Sequence, residues 1–336
     1  MIERLNEDSN INFLGNSTSA SGVEVIIPKI ARIPTTQENP WEESPLKIKG
    51  AGAGRLEFHL PHIAEALQKA RNRSIKNGEI TAGEDIAKNI QDLLKLKPGQ
   101  VLVDLGMGPG IIAKHISKYL DETGWLYCVD ASPSMLKAAQ KELLGNNATL
   151  IHGDIHTVDN LIHEKADAAI LSGNVHLLTN RELAFKAIYN MLKPDGKLVV
   201  VTHVNRNAKK ETTKFASEID KLEQTRPDLK VGGLRLPMLT EKELKEEVVH
   251  KLAKVGFTVL EIDAETNAPD VNEVLGQGNM PLHGVGKRLA IIDGRVNETR
   301  REEMAKDILT SLYEGTQMQT YLLCTKKPAS LLPKQK

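Results

Sequence analysis

Residues 103–110, VDLGMGPG, decide how this chain is read. An apolar run ends in Asp104, glycines follow at Gly106, Gly108 and Gly110, and Ile111 and Ile112 open the next segment. A glycine-rich turn between a strand and a helix lets a ligand lie against bare backbone, with the helix N-terminus facing it. The spacing departs from the dinucleotide fingerprint GxGxxG, because Ile111 stands where the third glycine belongs. What remains is a strand-end acid followed by three alternate glycines.

Outward from that turn, short apolar runs alternate with helical segments. The runs are VLVDLG at 101–106, WLYCVD at 125–130, ATLIHGD at 148–154, ADAAILSG at 166–173 and KLVVVTH at 197–203. Helices fit between them at 110–120, 132–144, 156–164 and 180–192. Strands alternating with helices predict an α/β fold, a doubly wound and mostly parallel sheet with helices on both faces. Strands buried on both sides read as continuous apolar runs rather than alternating ones. Ahead of this core, Ile63, Ala64, Leu67 and Ala70 mark one helix and Ile86, Ile90, Leu93 and Leu94 a second. Two further strands are expected at 257–263 (FTVLEID) and 318–327 (MQTYLLCTKK), with a helix over 244–255 before the first of them.

Two more acids extend the glycine signal. Asp130 ends the second core run, about twenty residues past the glycines, where an acid accepts hydrogen bonds from ribose hydroxyls of a nicotinamide or an adenosyl ligand. Asp154 closes the third run in GDI, either near an adenine amino group or as the N-cap of the helix that follows. His176 and His203 follow the fourth and fifth runs on the ligand side, as candidates for a general base or as hydrogen-bonding turn residues. Asn174 orients an acceptor or caps a turn.

At these residues the chain resembles the class I S-adenosylmethionine-dependent methyltransferases. VDLGMGPG looks like that family's first motif, VDAS its acidic loop and GDIH its adenine-contacting motif. ADAAILSGNVHLL is similar to the fourth-strand motif, and MLKPDGKLVVV to the "LKPGG" hairpin, with Asp195 in place of its first glycine. VGFTVLEI and YLLCTKKP resemble the sixth and seventh strands. The resemblance implies a seven-stranded domain and S-adenosyl-L-methionine as cofactor. It also implies a pose: Gly106, Gly108 and Gly110 flank the methionine portion, with Asp104 nearby. Asp130 binds ribose, Ala131 and Met135 touch adenine, Asp154 and Ile155 hold the adenine rim, and Ser172 and Gly173 line the floor below the sulfonium. Methyl transfer to an O, N or C nucleophile is the implied chemistry. It needs alignment of nucleophile, methyl and sulfur more than it needs protein functional groups.

Composition narrows the acceptor. The 336 residues carry 44 basic and 44 acidic side chains, so no net field draws the protein to nucleic acid or an anionic membrane. Aromatics are 4%, too few to supply a base-stacking platform. No apolar run is long enough to span a bilayer, and the first residues lack a signal-peptide pattern, so the expected compartment is the cytoplasm. Cys128 and Cys324 sit in apolar runs and read as buried thiols, and no cluster of metal ligands is expected. Residues 1–59 read as a poorly structured arm with one short strand near Val23–Ile27, and 60–95 as helices forming a cap. Residues 96–327 read as the catalytic domain and 328–336 as a tail. Insertions at 204–240 and 264–297, each rich in polar and turn residues, are expected to choose the acceptor. An enclosed acceptor favours a small molecule, a metabolite or natural product. The alternatives are a protein or RNA methyltransferase using Lys209, Lys210, Lys214 and Lys221, a nicotinamide dehydrogenase, and a non-catalytic cofactor-binding domain. Nothing in the sequence fixes the oligomeric state, and a homodimer is compatible with it.

Overall fold

The apolar runs form strands close to where the sequence places them. A computed structural model describes residues 13–18, 24–28, 61–72, 74–75, 78–205, 238–265 and 318–327. Two helices, α1 (Pro61–Asn72) and α2 (Ala82–Leu94), precede the core, with a two-residue hairpin β3–β4 (Ser74–Ile75, Ile80–Thr81) between them. Thr81 caps α2 by accepting from the Glu84 N–H at 3.2 Å, and Lys95 ends it in a left-handed conformation. There follow β5 (Val101–Leu105), α3 (Ile111–Ser117), β6 (Trp125–Asp130), α4 (Pro133–Glu142), β7 (Ala148–His152) and β8 (Ala166–Ser172). The chain continues with α5 (Arg181–Met191) and a long β9 (Leu192–Asn205).

With β1 at Phe13–Thr18 and β2 at Glu24–Pro28, the strand order across the main sheet is β1-β2-β7-β6-β5-β8-β9-β12-β11. From β7 to β9 the strands are parallel, while β12 (Met318–Lys326) runs antiparallel between β9 and β11 (Phe257–Glu265). The order reverses between β5 and β8, because β6 and β7 lie on one side of β5 and β8 and β9 on the other. A sheet of this kind opens a crevice at that switch point, at the carboxyl ends of its strands. VDLGMGPG sits there.

Each core face has its own apolar cluster, as a doubly wound sheet requires. Val103, Leu105, Val129, Leu171 and Val200 pack on one face against Ala184, Phe185 and Ile188 of α5. Leu102, Leu126, Cys128, Leu150, Ile170 and Val199 pack on the other against Ile86 and Ile90 of α2, Ile116 of α3 and Ala139 of α4. Both cysteines are fully buried and unpaired with each other, as the sequence suggested. Burial pushes both thiols up, so neither supplies a thiolate at neutral pH.

Several expectations change. The arm expected at 1–59 contains two strands, β1 (Phe13–Thr18) and β2 (Glu24–Pro28), and β2 joins β7 in parallel. The β-branched stretch VEVII suits a strand, and the outer edge of β7 offers unpaired backbone for it to join. Among the described residues the seven expected strands, β5 to β9 with β11 and β12, are all in the main sheet, and β1, β2 and β10 (Met238–Thr240) extend it to ten. The first insertion is shorter than expected. β9 runs on to Asn205, and β10 (Met238–Thr240) pairs beside its last three residues. From β10 the helical stretch runs through Glu241–Glu243, a π-turn over Leu244–Val249 and His250–Val255. Thr240 and Glu243 form a capping box at its start. The second insertion follows Glu265, and residues 206–237 and 266–317, with the lysines at 209–221, lie outside the described residues.

Candidate active site

Side chains alternate across a strand, so one parity of residue gathers on one face. Leu102, Cys128, Leu150, Ile170 and Val199 face α2, α3 and α4. By the same alternation Asp104, Asp130 and Ser172 turn to that face, each at or next to the carboxyl end of its strand. The expected cofactor residues are thus brought together by pleat and parallel register, with β5 aligned to β6 at Asp104↔Cys128 and to β8 at Asp104↔Ile170.

The glycine turn is held from two directions. Gly106, Gly108 and Gly110 all have positive φ, at 64°, 60° and 81°. Asp130 accepts from the Gly108 N–H at 2.8 Å through Oδ2 and from the Ser132 N–H at 2.8 Å through Oδ1. From the other side Asn174, nearly fully buried, donates through Nδ2 to the Leu105 carbonyl at 2.5 Å and the Gly106 carbonyl at 3.1 Å. A side chain at Gly106 would collide with that carboxamide, so only glycine fits between clamp and turn. Gly108 differs. Nothing lies within 4 Å of where its Cβ would stand, so its bare backbone faces open space.

Electrostatics mark the same floor. Burial, with the charge of Asp130 beside it, pushes the Asp104 carboxyl up to about 7. Burial pushes Asp130 up to about 6, against the pull of the N–H groups of Ser132, Gly108 and Ala131. Among the described residues, Asp104 Oδ2, Ser172 Oγ and Asn174 Oδ1 are buried without a hydrogen-bond partner. Orphaned acceptors beside two strained carboxyls fit a ligand that brings hydroxyls or a positive charge. An adenosyl sulfonium with an ammonium group has both.

Other expected residues fall into place differently. Asp154 is the N-cap of a 3₁₀ helix at Ile155–Asn160, and its Oδ1 accepts from the His156 N–H at 2.9 Å and contacts His156 Nδ1 at 2.6 Å. Both contacts fall on one oxygen. Ile155 borders the glycine turn, its Cδ1 3.4 Å from the site of a Gly106 Cβ. The Ala131 carbonyl receives the His152 ring nitrogen at 3.1 Å. Met135 is buried against Ala64 of α1, so helix packing occupies its side chain. Gly173 ends β8 with φ 71° and donates to the Val201 carbonyl at 2.8 Å. His176 lies in a short 3₁₀ turn, Val175–Leu177. His203, expected at a strand end, lies inside the ladder instead, opposite Met238 on one side and Gln319 on the other. Pairing with β10 carries the strand past it. Among the described residues no group of three or more His, Cys, Asp and Glu is placed to hold a metal.

A methyltransferase domain model matches residues 103–200, the stretch that spans the glycine turn, Asp130, Asp154 and Gly173. Residues 103–200 thus carry a methyltransferase domain. The relatives of this domain include a ubiquinone/menaquinone biosynthesis C-methyltransferase of Hydrogenovibrio crunogenus, 29% identical over 115 residues. That match covers 33% of this chain and 44% of the relative. The same enzyme of Blochmanniella pennsylvanica is 32% identical over 107 residues, covering 31% and 42%. The chain thus spans less than half the length of the curated relatives it matches. Among solved structures the methyltransferase domain resembles the [4+2]-cyclase SpnF, with TM-score 0.53 and 16% identity over 83% of this chain and 96% of that one. It also resembles the cyclopropane synthase MmaA2 from Mycobacterium tuberculosis, with TM-score 0.52 and 17% identity over 81% and 98%. These likenesses establish the fold, and a cyclase and a cyclopropane synthase among them show that it hosts more than one reaction.

Two residues of the domain do more than the sequence shows. Asn174 makes no side-chain cap, and its carboxamide clamps the glycine turn. His156 was not singled out, although its ring joins Asp154 to Thr179 and the Asn180 N–H. Only the fold brings 156 beside 180, so no local pattern could have shown it.

Proposed function

We propose that this protein transfers a methyl group from S-adenosylmethionine to a small-molecule acceptor. The observation that carries the reading is the open face of Gly108, whose N–H Asp130 accepts, with the buried Asp104 carboxyl near enough to Asp130 to feel its charge. The cofactor supplies an activated methyl on a positively charged sulfur. Asp130 holds the ribose while keeping the glycine turn in place. Asp154 and Ile155 border the adenine, and Asp104 answers the positive end.

The acceptor side is built from the strand ends beyond Ser172. Residues 206–237 leave from β9 and return as β10, paired at Met238↔His203. Residues 266–317 leave from β11 and return as β12, paired at Glu265↔Met318, with Met318 opposite Val204. Both insertions are therefore rooted around His203 at the carboxyl edge, which supports their choosing the acceptor. His176 and His203 are the candidates for removing a proton from it, since histidine titrates near neutral pH.

The relatives' names favour an aromatic ring carbon of a quinone precursor as the acceptor class to test first. The test uses methyl-tritiated S-adenosylmethionine with phenolic and quinol acceptors, alongside RNA and protein. Label in an organic-extractable product supports the reading. Label only in RNA or protein, or in nothing, overturns it.

A further inference from the structure

Helix α1 lies outside the stretch matched by the methyltransferase model, yet it reaches the floor of the site. Ala64 packs with Met135 of α4, and Gln68 Nε2 donates to Glu142 Oε1 at 3.3 Å, which fixes the helix across α4. At its last turn Arg71 is partly buried. Its carbonyl and Cβ lie 3.2 and 3.6 Å from where a Gly83 Cβ would stand, and its Nη2 lies 3.1 Å from the site of a Gly173 Cβ. A side chain at 173 would crowd the guanidinium, so that glycine serves Arg71 as well as its own positive φ. The residue next to Gly173 is Asn174, the clamp on the glycine turn.

Among the described residues no ion pair is formed by this cation; the Asp85 carboxylate acts on the same Tyr321 hydroxyl as Arg71 does. Burial and the Tyr321 hydroxyl are the influences that act on its guanidinium. Burial pushes it below its ordinary value, and the Tyr321 hydroxyl beside it is itself held by Asn89 at 3.1 Å and Gln319 at 3.0 Å. A cation withdrawn from water without an anion is costly unless a ligand brings the anion. On the same floor the buried acceptors Asp104 Oδ2 and Asn174 Oδ1 await a donor. One guanidinium beside two unspent acceptors is the complement of a zwitterion.

We infer that Arg71 binds the α-carboxylate of the cofactor's amino-acid end, making α1 part of the cofactor site. Asp104 and Asn174 take the neighbouring ammonium. The inference rests on the proposed cofactor, and the planar fork of arginine suits a carboxylate in two-point contact. Calorimetry with two ligands tests it: S-adenosylhomocysteine, which has the amino-acid end, and 5′-methylthioadenosine, which lacks it. Arg71→Met is expected to weaken the first roughly 10- to 100-fold, the scale of hydrogen bonds to a charged group, and the second less than twofold. Arg71→Lys, which keeps the charge but not the fork, should lose only a few-fold for the first ligand and nothing for the second. It also serves if the methionine variant does not fold. Equal losses for both ligands, or no loss for either, would overturn the role of Arg71. A parent protein that binds neither ligand would overturn the cofactor itself.

Discussion

Replacing Asp104 by Asn should stabilise the ligand-free protein and weaken its grip on the cofactor. The Asp104 carboxyl is 2% exposed and titrates near 7, against 3.8 for an ordinary aspartate. The folded state therefore holds a proton that the unfolded chain has released over that whole interval. Because the folded state binds more protons, stability falls as pH rises from about 4 through 7 and levels off above that. Each unit corresponds to 1.36 kcal/mol, so between pH 5 and pH 8 the folded parent loses about 2.7 kcal/mol at this group. Asparagine carries no such titration, and any fixed difference between amide and protonated acid cancels across pH. The gap in stability between Asp104→Asn and the parent should thus widen by about 2.7 kcal/mol from pH 5 to pH 8. At roughly 2 °C per kcal/mol that is about 5 °C in melting temperature. Cofactor affinity should respond in the opposite sense. The parent should bind more tightly as pH rises through 7, while the variant binds more weakly with a flatter profile. A melting-temperature gap that stays constant from pH 5 to pH 8 would refute the reasoning, since Asp104 would then not titrate in that range.

Three other substitutions probe the site and the fold. Asp130→Ala removes a ribose partner and also frees the Gly108 N–H, so cofactor binding should weaken by roughly 1.5–3 kcal/mol in calorimetry, with unchanged binding counting against the pose. Gly106→Ala sets a Cβ against Asn174 at a left-handed φ, which should cost roughly 2–4 kcal/mol in urea unfolding, and a loss below 1 kcal/mol would mean the clamp yields freely. Asp195 holds a left-handed φ of 61° in the turn within β9, so Asp195→Gly should gain about 0.5–1 kcal/mol in thermal melts, and a destabilised variant would show that its side chain secures the turn.

Local patterns carried much of the fold and less of the site. The run WLYCVD became β6 without a residue's shift, because a strand buried on both faces leaves a continuous apolar signature. The glycine turn and Asp130 were legible for a related reason: they follow directly from strand ends. β2 was legible as a short strand, but its pairing with β7 was not. β10 was harder, because it exists by pairing with β9 and a three-residue strand such as Met238–Thr240 has no pattern of its own. The same pairing moved His203 from a strand end into the ladder. Arg71 was hidden most fully. Apolar spacing located α1 but is blind to its polar positions, and the approach to Gly173 spans a hundred residues of chain. Asn174 was noticed, but its role depends on contact with Leu105 and Gly106, which sequence distance conceals.

An adenosyl ligand is expected to lie on the open face of Gly108, beside Asp130 and its neighbour Asp104. Calorimetric titration of the parent protein with S-adenosylhomocysteine at pH 8 tests it most directly. The account expects one site per chain with a dissociation constant in the micromolar range, and a ligand-dependent rise in melting temperature, about 2.7 kcal/mol of stabilisation at a hundredfold excess over that constant. No heat and no thermal shift at millimolar ligand would contradict it.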